Sequence, residues 1–106
     1  MHPHRLFLQA EKTGTVTLQN CLLTTSDVDL AIIFSDVPEQ QLLSMLDHGG
    51  EKKKARVLEE LQRIKRVKVY PEDLKAIQDW FIGRLQGKKS EGFRRYFKPK
   101  DRTDLG

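Results

Sequence analysis

The spacing of hydrophobic residues changes along this chain, and that change constrains the fold more than any other feature. Residues 5–11 and 15–23 are typical of two strands joined by a turn at residues 12–14, where Gly14 can adopt a positive φ; apolar and polar residues alternate from residue 15, and the alternation fails at residues 21–23. Residues 30–34 form a continuous apolar run, typical of a strand that is buried on both faces. The first third of the chain therefore predicts an antiparallel β-hairpin with one or two further strands.

Beyond residue 35, apolar residues recur at intervals of three and four, which predicts helices. One helix is capped by Ser35 or Asp36, has Pro38 in its first turn and ends at residues 48–50, and a second runs from 51 to about 66. A third begins at Pro71 and stops at Gly87.

Residues 66–70 fit either an extension of the second helix or a short strand. The strand is favoured because Pro71 disfavours α geometry at Tyr70. The prediction is an α+β fold in which the hairpin and further strands are packed by two to three helices. Residues 1–87 form this single domain, and residues 88–106 form a basic, aromatic-containing C-terminal extension.

The same periodicities predict which side chains form the core. The expected members are Leu6, Leu8, Val16, Leu18, Leu30, Ile32, Phe34, Leu42, Met45, Val57, Leu61, Ile64, Leu74, Ile77 and Phe81.

Composition narrows the class of protein. A chain of 106 residues can form one hydrophobic core of modest size. No apolar run approaches the ~20 residues of a membrane span. The N-terminus lacks the pattern of a secretory signal, and a single cysteine, Cys21, excludes an internal disulfide. We therefore expect a cytoplasmic protein that binds no membrane.

Few residues suggest a metal, a cofactor or a catalytic group. His2 and His4 lack a third ligand, so they are expected to belong to a disordered end, and His48 is expected to play a structural role at a helix C-terminus. Cys21 has no basic neighbour within two residues and is expected to be a buried, inert thiol. No metal site and no cofactor is predicted.

Charge is distributed unevenly between the two halves. Residues 1–50 contain two basic and six acidic residues, a net charge of −4, whereas residues 51–106 contain 17 basic and nine acidic residues, a net charge of +8. Such asymmetry indicates a polyanionic partner or an interaction tail. Lys52, Lys53 and Lys54 are interpreted as the solvated surface of a mixed-charge helix.

The C-terminal extension is the best candidate for a binding segment. Its cations neutralise phosphates and its rings can stack on unpaired bases, while paired arginines also suit acidic protein surfaces. A third alternative is that the aromatic residues pack back on the domain and the charges are solvated. The predicted site residues are Lys88, Lys89, Phe93, Arg94, Arg95, Tyr96, Phe97, Lys98 and Lys100.

The segment Ser26-Asp27-Val28-Asp29-Leu30-Ala31-Ile32-Ile33 resembles the small nucleotidyltransferase domains of the polymerase-β superfamily. The resemblance implies that Asp27 and Asp29, on one side of a strand, hold Mg²⁺ against a nucleotide triphosphate. This chain lacks the family's upstream Gly-Ser pair, and the family's third acidic position falls near Lys68. The resemblance therefore implies at most a degenerate member.

The leading hypothesis is a small non-enzymatic protein that contacts nucleic acid through its basic C-terminal region. The alternative is an adaptor or assembly subunit that docks on an acidic protein partner, and the second alternative is a degenerate nucleotidyltransferase-like domain. The acidic and basic halves also permit a homo-oligomer formed by unlike charges.

Overall fold

The regular elements of the computed structural model, which describes residues 3–66 and 68–88, are all helical. The prediction of an α+β fold with a β-hairpin is wrong for these residues, since they contain no strand. The elements are α1 (Arg5–Lys12), α2 (Thr15–Leu23), α3 (Asp27–Ile33), α4 (Glu39–Leu46), a short 3-10 helix (Asp47–Gly49), α5 (Glu51–Ile64) and α6 (Pro71–Leu85).

The predicted hairpin is a pair of helices, α1 and α2. Their buried residues follow helical rather than strand spacing: Leu6 and Ala10 in α1, and Leu18, Cys21 and Leu22 in α2. The alternation in the sequence is compatible with both periods at this length, and packing decided between them. Two predicted core residues, Leu8 and Val16, are exposed as a consequence.

The predicted central strand at residues 30–34 is the buried end of α3. Leu30, Ala31, Ile32 and Ile33 are all inaccessible or nearly so, and Phe34 follows them into the core. A helix that is apolar on every side is buried all round, and a run this short does not distinguish it from a buried strand. Residues 30–34 include no polar side chain, so this end of α3 lies inside the bundle, whereas Val28 in the first turn is 47% exposed.

The three helices predicted from spacings of three and four are confirmed as α4, α5 and α6. The N-cap of α4 is Pro38 rather than Ser35 or Asp36, and residues 68–70 form no regular element, neither strand nor helix. Of the predicted core, Leu61, Ile64 and Leu74 are only partly buried. The other ten members are buried, and at the centre the rings of Phe34 and Phe81 meet edge to face with centroids 6.2 Å apart.

The N-terminal end of α1 is fixed to the rest of the bundle. His4 caps this helix, because its Nδ1 accepts a hydrogen bond from the backbone N–H of Leu6 at 3.1 Å. Its Nε2 lies 3.0 Å from an oxygen of Asp36, which also accepts from the Gln78 side chain of α6 at 2.8 Å. The expectation of a disordered end was wrong for His4.

The C-terminal end of α6 has the geometry of a Schellman motif. Gly87 adopts a φ of 89°, which glycine tolerates best, and its N–H donates to the carbonyl of Arg84 at 3.0 Å. The N–H of Lys88 donates to the carbonyl of Gly83 at 2.9 Å. The motif ends the helix where the sequence predicted and sets the point from which the C-terminal extension starts.

Within residues 3–66 and 68–88, no helix has the length and apolar character needed to cross a membrane. Eight of the nine predicted site residues, from Lys89 to Lys100, lie outside the described residues and stay predictions.

Candidate functional site

Three parts of the chain meet at the turn between α2 and α3. Lys53, from the first turn of α5, donates to the backbone carbonyl of Thr25 at 2.8 Å. Arg84, from the last turn of α6, donates to the hydroxyl of the same threonine at 2.8 Å. We call this arrangement the Thr25 corner; its members are Thr24, Thr25, Asp27, Lys53, Arg56 and Arg84.

One side of the corner is an ion-pair cluster in which the Asp27 carboxylate pairs with two cations, Lys53 and Arg56. Lys53 Nζ lies 2.7 Å from one carboxylate oxygen, and Arg56 Nε donates to the other at 2.9 Å. The adjacent ammonium group of Lys53 lowers the pKa of Asp27, burial opposes this shift, and Arg56 adds to it. With a side chain only 8% exposed, Lys53 is part of the structure and not a free cation.

The lysine run at the start of α5 is therefore not a uniform solvated surface. Lys52 is exposed as expected, and Lys54 pairs with Asp47 at 2.7 Å on the surface. Lys53 contradicts the interpretation, because its stem packs beside Gly49 and its ammonium group is buried at the Thr25 corner. Helical spacing turns one of three neighbouring lysines inward.

The other side of the corner presents a guanidinium without a carboxylate. Arg84 donates to the hydroxyls of Thr24 and Thr25, and its Cζ lies 5.2 Å from the centroid of the Trp80 ring. Among residues 3–66 and 68–88, no acidic side chain pairs with it. Arg84 is partly buried, so its charge is held in place and left uncompensated by any of the described residues.

The two threonines are oriented to receive this guanidinium. The Thr24 hydroxyl donates to the carbonyl of Asn20 at 2.7 Å, and the Thr25 hydroxyl donates to the carbonyl of Cys21 at 2.7 Å. Because each hydroxyl donates its proton to a carbonyl in the preceding helical turn, its oxygen can only accept the hydrogen bond from Arg84. The guanidinium of Arg84 is thus held in place by two uncharged hydroxyl groups.

Of the predicted site residues, Lys88 is the one that the structure describes. It is exposed, and its stem lies along α6, since a Cβ added at Gly83 would be 3.7 Å from its Cδ. The C-terminal extension therefore begins within one helical turn of Arg84. The sequence does not distinguish Arg84 from other cations, because a basic residue is common in the last turn of a helix.

A second cationic region lies at the other end of α5. Arg63, Lys65, Arg66 and Lys68 fall within six residues, with no acidic residue between them. Arg63 is paired with Glu60 at 3.0 Å, whereas Lys68 lies 5.7 Å above the exposed ring of Tyr70. This region adds positive charge to the surface without the fixed geometry of the Thr25 corner.

Beside that region, a groove of about 250 Å³ lies between α4, α5 and the loop after α3. Its floor includes Phe34, Val37 and Leu61, and its rim carries Glu39 and Lys65. One cation and one anion at the rim leave the groove without a strong preference for either sign of ligand charge.

The two carboxylates that resemble a magnesium site are not placed as that resemblance requires. Asp27 and Asp29 lie in the first turn of a helix, where residues two apart point in directions about 200° apart, not to one side as in a strand. Asp27 is also occupied by Lys53 and Arg56. Within the described part of the chain, no group of three His, Cys, Asp or Glu residues could hold a metal ion.

Cys21 is buried, as predicted. Burial raises the pKa of its thiol, and the nearby Arg84 charge opposes that shift only in part. A thiol with a raised pKa is a poor nucleophile at neutral pH.

Comparison with protein-family models, with curated proteins and with solved structures found no match to this chain. Function must therefore be inferred from the chemistry of the Thr25 corner and from the charge of the C-terminal extension.

Proposed function

We propose that this is a small non-enzymatic protein that contacts nucleic acid through Arg84 and the basic residues 88–106. The observation that carries the proposal is the state of Arg84, a partly buried guanidinium with no carboxylate partner in the described chain. A cation left uncompensated at a fixed position favours an anionic ligand, and phosphate oxygens match the guanidinium fork.

The frame around Arg84 supports this role. The Trp80 ring and the two threonine hydroxyls restrict the side chain before any ligand binds, so little rotamer entropy remains to be lost on binding. Neutral hydroxyl partners hold the guanidinium without cancelling its charge. A phosphate that contacts Arg84 meets that charge at a fixed point.

The C-terminal extension supplies the rest of the contact in this proposal. Residues 88–106 contain seven basic and three acidic residues, with three aromatic residues among the basic ones. Basic side chains release counterions from the nucleic-acid backbone, and aromatic rings stack on unpaired bases. Because the extension starts at the Schellman motif of α6, its first cations follow directly after Arg84.

The carboxylate oxygens of an acidic protein surface could bind the same arginine in place of phosphate oxygens. Docking on such a protein is the alternative, and the binding test below distinguishes it from nucleic-acid binding. The proposal places the protein in the cytoplasm, where the unpaired thiol of Cys21 is kept reduced.

The test is a salt titration of binding to fluorescent single- and double-stranded RNA and DNA, with the full chain and two matched variants. Arg84→Gln removes the uncompensated guanidinium. Arg5→Gln removes the same charge from α1, where Arg5 is already bound to Asp79 and Gln78. Both variants lower the net charge by one, so their difference isolates the position of the charge.

We expect wild-type affinity to fall steeply with salt, because each neutralised phosphate contributes about −0.9 to the logarithmic slope. Arg84→Gln should lower the magnitude of this slope by about one, while Arg5→Gln leaves it nearly unchanged. Equal slopes for both variants would show that Arg84 makes no phosphate contact. Absence of binding to all four probes at low salt would overturn the proposal and direct the search to acidic proteins.

A further pair of substitutions tests the extension in the full-length chain. Arg94→Ala combined with Arg95→Ala should lower the slope magnitude by up to about two. If this double variant binds as wild type does, the extension makes no contribution through these arginines, and the contact belongs to the folded helices.

A further inference from the structure

Helix α2 carries no charged side chain, unlike each of the other five α-helices that the structure describes. The uncharged run extends from residue 13 to residue 26 in a chain of which 32% is charged. Helices on a protein surface normally expose charged residues on the side that faces water. The lack of charged residues on α2 therefore needs a physical reason, and the contacts made by its outer side can supply one.

The outer side of α2 is apolar at both ends and amide-bearing in the middle. Val16 is 69% exposed and Leu23 is 51% exposed, with exposed Gln19 and Asn20 between them. The intervals of three, four and seven place all four on one side of the helix, opposite the buried Leu18, Cys21 and Leu22. We call Val16, Gln19, Asn20 and Leu23 the α2 strip.

We propose that the α2 strip is a self-association surface through which two copies of this chain bind each other reversibly in an antiparallel arrangement. A partner of opposite charge would find nothing on the strip to recognise, because the strip has no charge. Two copies of a chain with a net charge of +4 repel each other, and a neutral surface is where they can approach with the least like-charge repulsion.

The strip is also complementary to itself. Under a two-fold axis, Val16 of one copy lies against Leu23 of the other, which occurs twice in an antiparallel pair. The carboxamides of Gln19 and Asn20 then lie near the axis, and each carboxamide both donates and accepts hydrogen bonds. Spacings of this kind are those by which helices pack against each other along a seam.

The small size of the strip sets the strength of the contact. A helix of nine residues is roughly 13.5 Å long, so one side of it buries far less than the ~800 Å² per partner of a stable interface. We therefore expect a dissociation constant on the order of 0.1 mM, a weak association that the net positive charge also opposes.

Sedimentation equilibrium of the full chain from 10 µM to 1 mM measures this association. The weight-average mass should rise from one chain toward two across that range, and added salt should leave it equal or strengthen it. Leu23→Glu should hold the mass at one chain, whereas Thr17→Glu, exposed on the same helix but about 100° away from Val16, should leave association nearly intact.

A mixture of variants tests the antiparallel arrangement. Val16→Lys and Leu23→Glu should each remain monomeric alone, because each buries a charge against an apolar side chain. Mixed together, they should regain mass, because lysine of one variant faces glutamate of the other at one end while the wild-type pair remains at the other end. Circular dichroism confirms folding, which these exposed positions do not control.

Self-association through the α2 strip is overturned by a mass that stays at one chain up to 1 mM, by association that Leu23→Glu does not weaken, or by association that salt abolishes. The last result indicates pairing of the acidic and basic halves instead. A mixture that fails to regain mass excludes the antiparallel pair. None of these outcomes depends on nucleic-acid binding, so this inference and the proposed function are tested separately.

Discussion

Lys53 and Arg84 contact the same buried threonine, yet their environments differ in one decisive respect. Lys53 meets a carboxylate, and the pair of charges is largely compensated within the bundle. Arg84 meets two hydroxyls and an aromatic ring, and no carboxylate of residues 3–66 and 68–88 pairs with it. The difference shows that the partners of a basic residue, and not its residue type, decide whether its charge is paired within the bundle, and the proposed binding role rests on Arg84 for this reason.

This division makes opposite predictions for the two sides of the corner. Substitutions on the Asp27 side should alter the free energy of unfolding more than binding. Substitutions on the Arg84 side should alter binding more than the free energy of unfolding.

Lys53→Met should cause the largest loss, about 1–3 kcal/mol of unfolding free energy. The methionine keeps the packed stem but removes the donor to Thr25 and leaves Asp27 with Arg56 alone. Urea denaturation at pH 7 measures the change. Lys52→Met, on the exposed neighbour, is the matched control and should shift it by less than about 0.5 kcal/mol. Equal effects of the two would mean that the buried pair is not stabilising.

Asp27→Asn tests the Asp27 side of the Thr25 corner through the pH dependence of the free energy of unfolding. Because the pKa of Asp27 is lowered in the folded state, its contribution is complete above its unfolded pKa of about 4 and is lost as pH falls through the lower, folded pKa. The difference in unfolding free energy between wild type and Asp27→Asn, about 1–2 kcal/mol at pH 7, should therefore shrink below pH 4.

The control for that pH profile is Asp79→Asn. Burial acts to raise the pKa of Asp79, but hydrogen bonds from Arg5 and Lys75 outweigh it and the net shift is downward. This ion pair is about half exposed, so we expect a smaller difference at pH 7. A pH-independent gap between wild type and Asp27→Asn would contradict a lowered pKa at Asp27.

Thr25→Val removes the hydroxyl that lies between the two sides. The side chain is 3% exposed, and its loss of the bond to the Cys21 carbonyl should cost about 1 kcal/mol. Arg84 also loses one of its two hydroxyl partners, so nucleic-acid affinity should fall, though less than in Arg84→Gln. Thr24→Val, at an exposed position, should cost less in unfolding free energy. An unchanged affinity in Thr25→Val would show that the fixed geometry of Arg84 does not matter for binding.

Arg84→Gln should have the smallest effect on folding, about 0.5 kcal/mol, since its partners are neutral and it is only partly buried. Thermal denaturation of this variant measures the change in stability, and the salt titration measures the change in nucleic-acid binding. A loss as large as that of Lys53→Met would remove the distinction between the two sides.

The sequence predicted the helices of the second half well, because α4, α5 and α6 show apolar residues at intervals of three and four over eight or more residues. The sequence did not predict α1 and α2, because apolar residues there fit both the two-residue period of a strand and the four-residue interval of a helix. Val16 shows the effect of choosing the wrong period, because this predicted core residue is 69% exposed, more than the other large hydrophobic residues that the structure describes. The C-terminal site residues beyond Lys88 stay predictions.

The candidate site depended on information that no local pattern contains. Thr25, Lys53 and Arg84 are separated by 28 and 31 residues along the chain, and nothing in the spacing of each indicates the others. The sequence did indicate that positive charge accumulates after residue 50. It did not indicate which of those cations the bundle would bury against a carboxylate.

By itself, the sequence determined the charge asymmetry, the positions of Gly87 and Pro71 as helix limits, and the helical character of residues 51–64, because these depend on local residue types. Only the tertiary structure decided that residues 5–12, 15–23 and 27–33 are helical, since a short apolar run adopts the period that its packing partners allow. It also decided which cation is compensated. Burial and pairing are properties of neighbours brought together from distant parts of the chain.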